Sequence, residues 1–171
     1  MTLIQAIRII ERLAAQQPGV GTVVRNDIFR LNASPVVQYG AFAWLQGEHA
    51  TNADSNLITF NFTFFFVDRL TADRGNEVAV QSAGIDTLEN ILRALPEYGL
   101  YPAAYTFRTF NERFSDECAG VFCNVSLEAA KGDLCAQAFD FVTNTADFNL
   151  DYNEDFKVWQ WVTDERTIYF I

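Results

Sequence analysis

Between Leu57 and Asp68 the chain reads LITFNFTFFFVD, and Phe60, Phe62, Phe64 and Phe66 fall at every second position. Side chains of a strand alternate between its faces, so these four rings share one side. The other side carries Thr59, Asn61, Thr63, Phe65 and Val67, polar at first and then apolar. The pattern predicts a central antiparallel strand with one face in a core and the other partly wet, a role that suits phenylalanine and threonine. Upstream, Val36 to Gln46 alternates as well. Val37, Tyr39, Ala41, Ala43 and Leu45 take one side, Phe42 and Trp44 the other. The polar run Gly47 to Asn56 joins the two strands as a long hairpin with a flexible tip.

Helical periods flank this hairpin. Leu3, Ile7, Ile10 and Ala14, thickened by Ile4 and Leu13, make an apolar stripe over residues 3–16. Thr2 supplies the cap and Pro18-Gly19 the stop, while Gln5, Arg8, Glu11, Arg12 and Gln16 form the wetter side. Ile85, Leu88, Ile91, Leu92 and Leu95 predict a second helix from Ile85 to Leu95. It has Asp86 and Glu89 early, Arg93 late and Pro96 at its end. Before it, Ala72 to Asn76 reads as a turn, Val78 and Val80 as a short extension, and Gln81 to Gly84 as a connection.

The remaining pattern is β. Val20 to Leu31 reads as a short strand pair or an irregular strand that turns at Asn26-Asp27. Arg25 and Arg30 lie on its exposed edge, and a further turn follows at Asn32 to Pro35. Tyr105 to Phe114 and Ala119 to Glu128 predict two more strands, separated by a break at Phe114 to Glu117. From Ala129 the periodicity weakens. Residues 131–171 hold eight Asp or Glu against three Lys or Arg, with aromatic runs around Trp159 and Trp161, and Thr167 to Ile171 reads as a final strand. The reading is an α+β core domain over 1–128, with an antiparallel or mixed sheet and a long central hairpin against two helices. Residues 129–171 form an acidic, aromatic extension or arm that packs on its own domain or on a neighbour.

Composition narrows the function. The chain has 171 residues, half of them apolar, and 16 Phe against 1 Met. That is enough for a rigid core. A formal net charge of -10 disfavours binding to a nucleic-acid backbone or an anionic membrane. The N-terminus lacks the continuous apolar run of a signal peptide, and no run has the length of a membrane span. Large apolar groups on both faces of a strand leave one face to pack on a partner chain. Phe42, Trp44, Phe65 and Val67, with Trp159 and Trp161 of the tail, are the candidate interface.

The chemistry is sparse. The sequence has no phosphate-cradling or dinucleotide glycine run and no serine elbow. His49 is the only histidine and falls in the polar connection, where solvation accounts for it. Cys118, Cys123 and Cys135 fit no zinc spacing and read as free thiols, with Cys123 facing the core. Asp68 with Asp73, Asp116 with Glu117, and Glu154 with Asp155 are the candidate carboxylate pairs, and they read as solvated loop carboxylates. Asn61-Phe62-Thr63 and Asn124-Val125-Ser126 match glycosylation sequons, but both lie inside predicted strands. No catalytic, cofactor-binding or metal-ligating residue is assigned.

Three stretches carry a family resemblance: Val24 to Asp27 with Phe29 to Asn32; Phe64 to Thr71 with Gln81-Ser82 and the helix to Leu95; and Thr109 to Gly120 with the strand after it. Together they span roughly residues 3–128. In these stretches the chain resembles small structural proteins of tailed phages and prophages, particularly those of gut Bacteroidales. Its element order is similar to that of tail-terminator and tail-completion proteins. The resemblance implies a non-enzymatic virion subunit at the head–tail junction or along the tail, built in the host cytoplasm. It implies self-association into a ring, a hexamer or dodecamer, against neighbouring head, neck or tail proteins. DNA would pass through the lumen without specific recognition, and no membrane is involved. The acidic tail at 129–171 departs from the simplest family pattern. An adaptor domain of another assembly is the alternative function, and a small hydrolase a more distant one.

Overall fold

The computed structural model describes residues 1–27, 38–51, 55–111, 117–131, 151–153, 158–162 and 167–170, the last three segments through their backbone pairing. Two helices and a mixed sheet make up this part, an α+β fold. The elements are α1 (Leu3–Gln16), β1 (Thr22–Arg25), β2 (Ala41–Thr51), β3 (Leu57–Arg69), α2 (Glu77–Ala94), β4 (Tyr101–Asn111), β5 (Cys118–Ala130), β6 (Asp151–Asn153), β7 (Val158–Val162) and β8 (Thr167–Phe170). The sheet runs β4-β5-β3-β2-β1-β8-β7-β6. Its larger half is antiparallel, while β1 lies parallel to both β2 and β8.

The hairpin of β2 and β3 is present, and β3 sits inside the sheet between β2 and β5. Phe60, Phe62, Phe64 and Phe66 all point into one core, beneath Ala6, Ile9, Ile10 and Leu13 of α1 and Leu88, Ile91 and Leu92 of α2. Val121, Cys123, Val125 and Leu127 of β5 complete it, the alternation read from the sequence. Both helices therefore cover the same face.

α1 has the boundaries its pattern predicts. Its capping box is complete: Thr2 Oγ1 accepts from the Gln5 N–H, and the Gln5 side chain accepts from the Thr2 N–H. Its buried face is turned relative to the predicted stripe. Ala6, Ile9, Glu11 and Ala15 are buried, whereas Ile4 is exposed. α2 starts eight residues earlier than the leucine and isoleucine spacing indicates. Its first turns carry Val78, which is exposed, and Gly84, which looks like a breaker in sequence. A Cβ on Gly84 would lie 3.0 Å from both Phe66 Cδ1 and Val121 Cγ2, so glycine here lets the helix approach the sheet. The chain continues past Ala94 as one 3-10 turn, Leu95–Tyr98, and Gly99 at φ 76 ends it.

Of the Val20 to Leu31 stretch, Thr22–Arg25 forms β1, and residues 28–31 lie outside the described residues. The bend at Asn26 is where the sequence puts it, with φ 50 and with Oδ1 accepting from the Gln46 N–H at 3.0 Å. β4 starts four residues earlier than read, at Tyr101. The tail contributes strands to the main sheet: Thr22 pairs with Tyr169 and Val23 with Phe170, and β7 and β6 follow outward. The turn at Asn32 to Pro35, the break after Phe114, Cys135 and the Glu154–Asp155 pair lie outside the described residues. No helix among the described residues is long and apolar enough to cross a membrane.

Candidate interaction face

The face of the sheet away from the helices is assembled by one irregularity in the hairpin. Beyond it, Ala50 lies opposite Thr59 and Thr51 opposite Ile58. Continued without interruption, that register would set Phe42 opposite Val67 and Trp44 opposite Phe65. A bulge between Gln46 and His49 intervenes, with Gly47 and Glu48 facing the single residue Asn61. Below it Phe42 lies opposite Phe66 and Trp44 opposite Phe64. A one-residue slip moves every side chain to the other face. Phe42 (0% exposed) and Trp44 (5%) consequently belong to the helix-covered core and offer no surface to a partner. This corrects their grouping with Phe65 and Val67.

His49 explains how the bulge is held. It lies within β2, not in a solvated loop. Its Nδ1 accepts from the Asn61 N–H at 3.3 Å, and the other ring nitrogen lies 2.9 Å from the Gln46 amide. The ring stands edge-on to Phe60 with centroids 5.5 Å apart. The Asn61 amide donates to the Glu48 carbonyl at 2.6 Å. A bulge leaves backbone groups without strand partners. The sole histidine and one asparagine satisfy them here.

The second face divides in two. Its lower part is apolar: Val24, Ala41, Ala43, Val67, Phe110 and Cys118 are buried, with Tyr39, Phe65 and Phe122 half-buried against them. Phe65 and Phe122 stack at 5.9 Å, and Phe110 lies 6.5 Å from Phe122. Arg69 covers the Tyr39 ring at 4.5 Å from its centroid, a cation–π contact at the margin. Its upper part is polar, a shallow concavity of about 520 Å³ lined by Gly47, Asn61, Thr63, Thr106, Asn124 and Ser126 among others.

The two sequon triplets turn out to be partners. Asn61 lies opposite Ser126 and Thr63 opposite Asn124. The Thr63 hydroxyl donates to Asn124 Oδ1 at 2.9 Å, and the Ser126 hydroxyl to Asn61 Oδ1 at 2.7 Å. Two asparagine–hydroxyl pairs thus form a cross-strand ladder. Nothing in one triplet announces the other, because only the register joins them.

The other singled-out residues have local explanations. Cys118 and Cys123 are both buried. Burial pushes the Cys123 thiol up to about 11, so it stays a protonated core group. Asp73 shapes the turn before α2: it accepts from the Thr71 hydroxyl at 2.7 Å and the Gly75 N–H at 3.1 Å, which hold its carboxyl below the usual range. Asp68 is shifted the other way, raised by burial against the partial compensation of the Arg69 N–H. Trp159 and Trp161 occupy β7; Phe65 and Val67 lie on the second face, but Val67, at 1% exposed, is buried there and like Phe42 and Trp44 offers no surface to a partner, which leaves Phe65. Among the described residues no three His, Cys, Asp or Glu side chains converge.

Sequence reading missed one polar cluster. Glu11, assigned to the wet side of α1, is 4% exposed. Both its oxygens accept from Arg25, Nε to Oε1 at 2.8 Å and the second guanidinium nitrogen to Oε2 at 2.9 Å, and Trp44 Nε1 donates to Oε1 at 3.3 Å. The bidentate pair ties α1 to the end of β1, and the Trp44 bond ties it to β2. No protein-family model matches this chain, and comparison with curated proteins gives no match.

Proposed function

We propose that the chain is a non-enzymatic structural subunit of a virion. It self-associates into a ring at the head–tail junction or along the tail, in the manner of tail-terminator, tail-completion or connector proteins. The observation that supports this reading is that, among the described residues, the helices cover one face of the sheet alone. Both helices pack on one face of the sheet, and the other face carries the half-buried Phe65–Phe122 stack beside a neutral polar groove. A half-open aromatic patch bordered by polar residues is suited to burial against another subunit. The net charge of -10 fits a ring whose acidic lumen lets DNA phosphates pass without sticking.

Mass in solution tests the proposal, read by sedimentation velocity and negative-stain microscopy on the full chain. The expected result is a closed ring of six or twelve subunits. Replacing Phe65 by Ser is expected to dissociate it while leaving the circular dichroism of the fold intact. A monomer at all concentrations, or a ring indifferent to the Phe65 change, overturns the proposal.

A further inference from the structure

β4 closes one end of the sheet, and among the described residues no strand pairs with its outer side. Tyr101 (57%) and Tyr105 (43%) are among its exposed side chains, and most of the strand is open on both faces. Edge strands are ordinarily blunted by proline, bulges or charge. Here those devices sit at one end: Pro102 and a register shift between Pro102 and Ala104. From Ala104 to Asn111 the register with β5 is regular, there is no proline, and the only charge is Arg108.

We infer that this edge pairs with the same edge of a second copy, antiparallel about a two-fold axis at Phe107, so that two sheets become one. The strand is complementary to itself in that register. Across a two-fold, residue i meets j and j meets i. With Phe107 opposite its own copy, Tyr105 meets Thr109 and Ala104 meets Phe110, so large side chains face smaller ones. Arg108 meets Thr106. Moving the axis by one residue to Arg108 sets two arginines face to face, which is unfavourable. Moving it to Thr106 sets Phe110 against Pro102, at the shifted end of the strand. No acidic side chain lies on the strand, so the charge of the whole chain, -10, is absent from this edge. The pairing does not rest on the ring proposed above. A ring grows by head-to-tail contacts, whereas this contact joins subunits in pairs.

Thr106 and Arg108 are exposed, so substitutions there leave the core intact. Sedimentation equilibrium of the full chain across micromolar to millimolar concentration is compared for wild type, Thr106→Lys and Thr106→Glu, with circular dichroism confirming the fold. In the Phe107-centred register each dimer holds two Thr106–Arg108 pairs. Thr106→Lys then raises the dimer dissociation constant roughly two- to thirtyfold, and Thr106→Glu lowers it by a similar factor. Added salt erases both changes. Three results overturn the inference: a wild type with no two-fold association step, a dissociation constant unmoved by either variant, or weakening by both. The Phe65 variant separates the two proposals. Loss of the ring with the Thr106 effects retained refutes nothing about the edge, and the reverse refutes nothing about the ring.

Discussion

Phe64 and Phe65 are neighbours in sequence and lie on opposite faces of β3. Phe64 is fully buried, tilted against Phe42 at 5.5 Å and stacked with Phe62 at 5.9 Å beneath two helices. Phe65 is half-buried and stacked on Phe122, with no helix above it among the described residues. The helix-covered face is continuous and apolar from Phe60 to Phe66, whereas the second face changes from a hydroxyl–amide ladder to an aromatic patch within five residues. The difference teaches that aromatic content alone does not mark an interface. Phe42 and Trp44 are as large as anything on the second face and belong to the core.

The strongest way to break this comparison is to truncate the two neighbours. Phe64→Ala is expected to cost about 3–5 kcal/mol, a large share of a small domain's stability, and Phe65→Ala about 1–2 kcal/mol with weakened association. Urea denaturation of both variants measures the first effect and sedimentation the second; equal destabilisation would abolish the division between faces. Next in size is Glu11. Glu11→Ala leaves the Arg25 guanidinium and the Trp44 N–H without their acceptor and is expected to cost about 3 kcal/mol. Glu11→Gln retains one acceptor and costs less. If Glu11→Ala behaved like an exposed surface change in thermal melts, the buried pin would not exist.

Gly84→Ala probes how tightly α2 lies on the core face. Ala is the better helix former, yet its methyl meets Phe66 and Val121 at 3.0 Å. The expected net effect is a loss of about 1–3 kcal/mol in urea denaturation, and a stabilised variant would show slack between helix and sheet. The smallest effect concerns Asp68. Its folded pKa is raised, so the native state holds the proton more tightly than the unfolded chain does. This group's contribution is fully present below the unfolded pKa and is lost as pH rises through the folded one. Asp68→Asn is therefore expected to stabilise at neutral pH, by less than about 1 kcal/mol because the group is partly solvated, and to be neutral at acid pH. Stabilities measured at both pH values check the sign; an equal gain at each would remove burial of charge as its cause.

Much of the helix-covered face was legible in the residues. Period two in Leu57 to Asp68 and in Ala119 to Glu128, the Thr2 cap and the bend at Asn26 are local signals, each settled by a few consecutive residues. The start of α2 was not legible, because Val78 is exposed and Gly84 reads as a breaker until the sheet it touches is known. The side of Phe42 and Trp44 was not legible either. It depends on Gly47 and Glu48 facing the single residue Asn61, and nothing in GEHATNADSN marks that extra residue. Glu11 looked solvated because its partners, Arg25 and Trp44, are 14 and 33 residues away.

By itself the sequence determined that this chain has a phenylalanine-rich central strand, a capped N-terminal helix, a second helix and paired β segments. These follow from residue spacing and local hydrogen-bonding groups. The tertiary structure decided which apolar residues share a face, that two distant N-x-S/T triplets pair, that Glu11 is a buried pin, and that β4 is the sheet's edge among the described residues. Those facts depend on register and strand order, which long-range pairing sets and local pattern cannot encode.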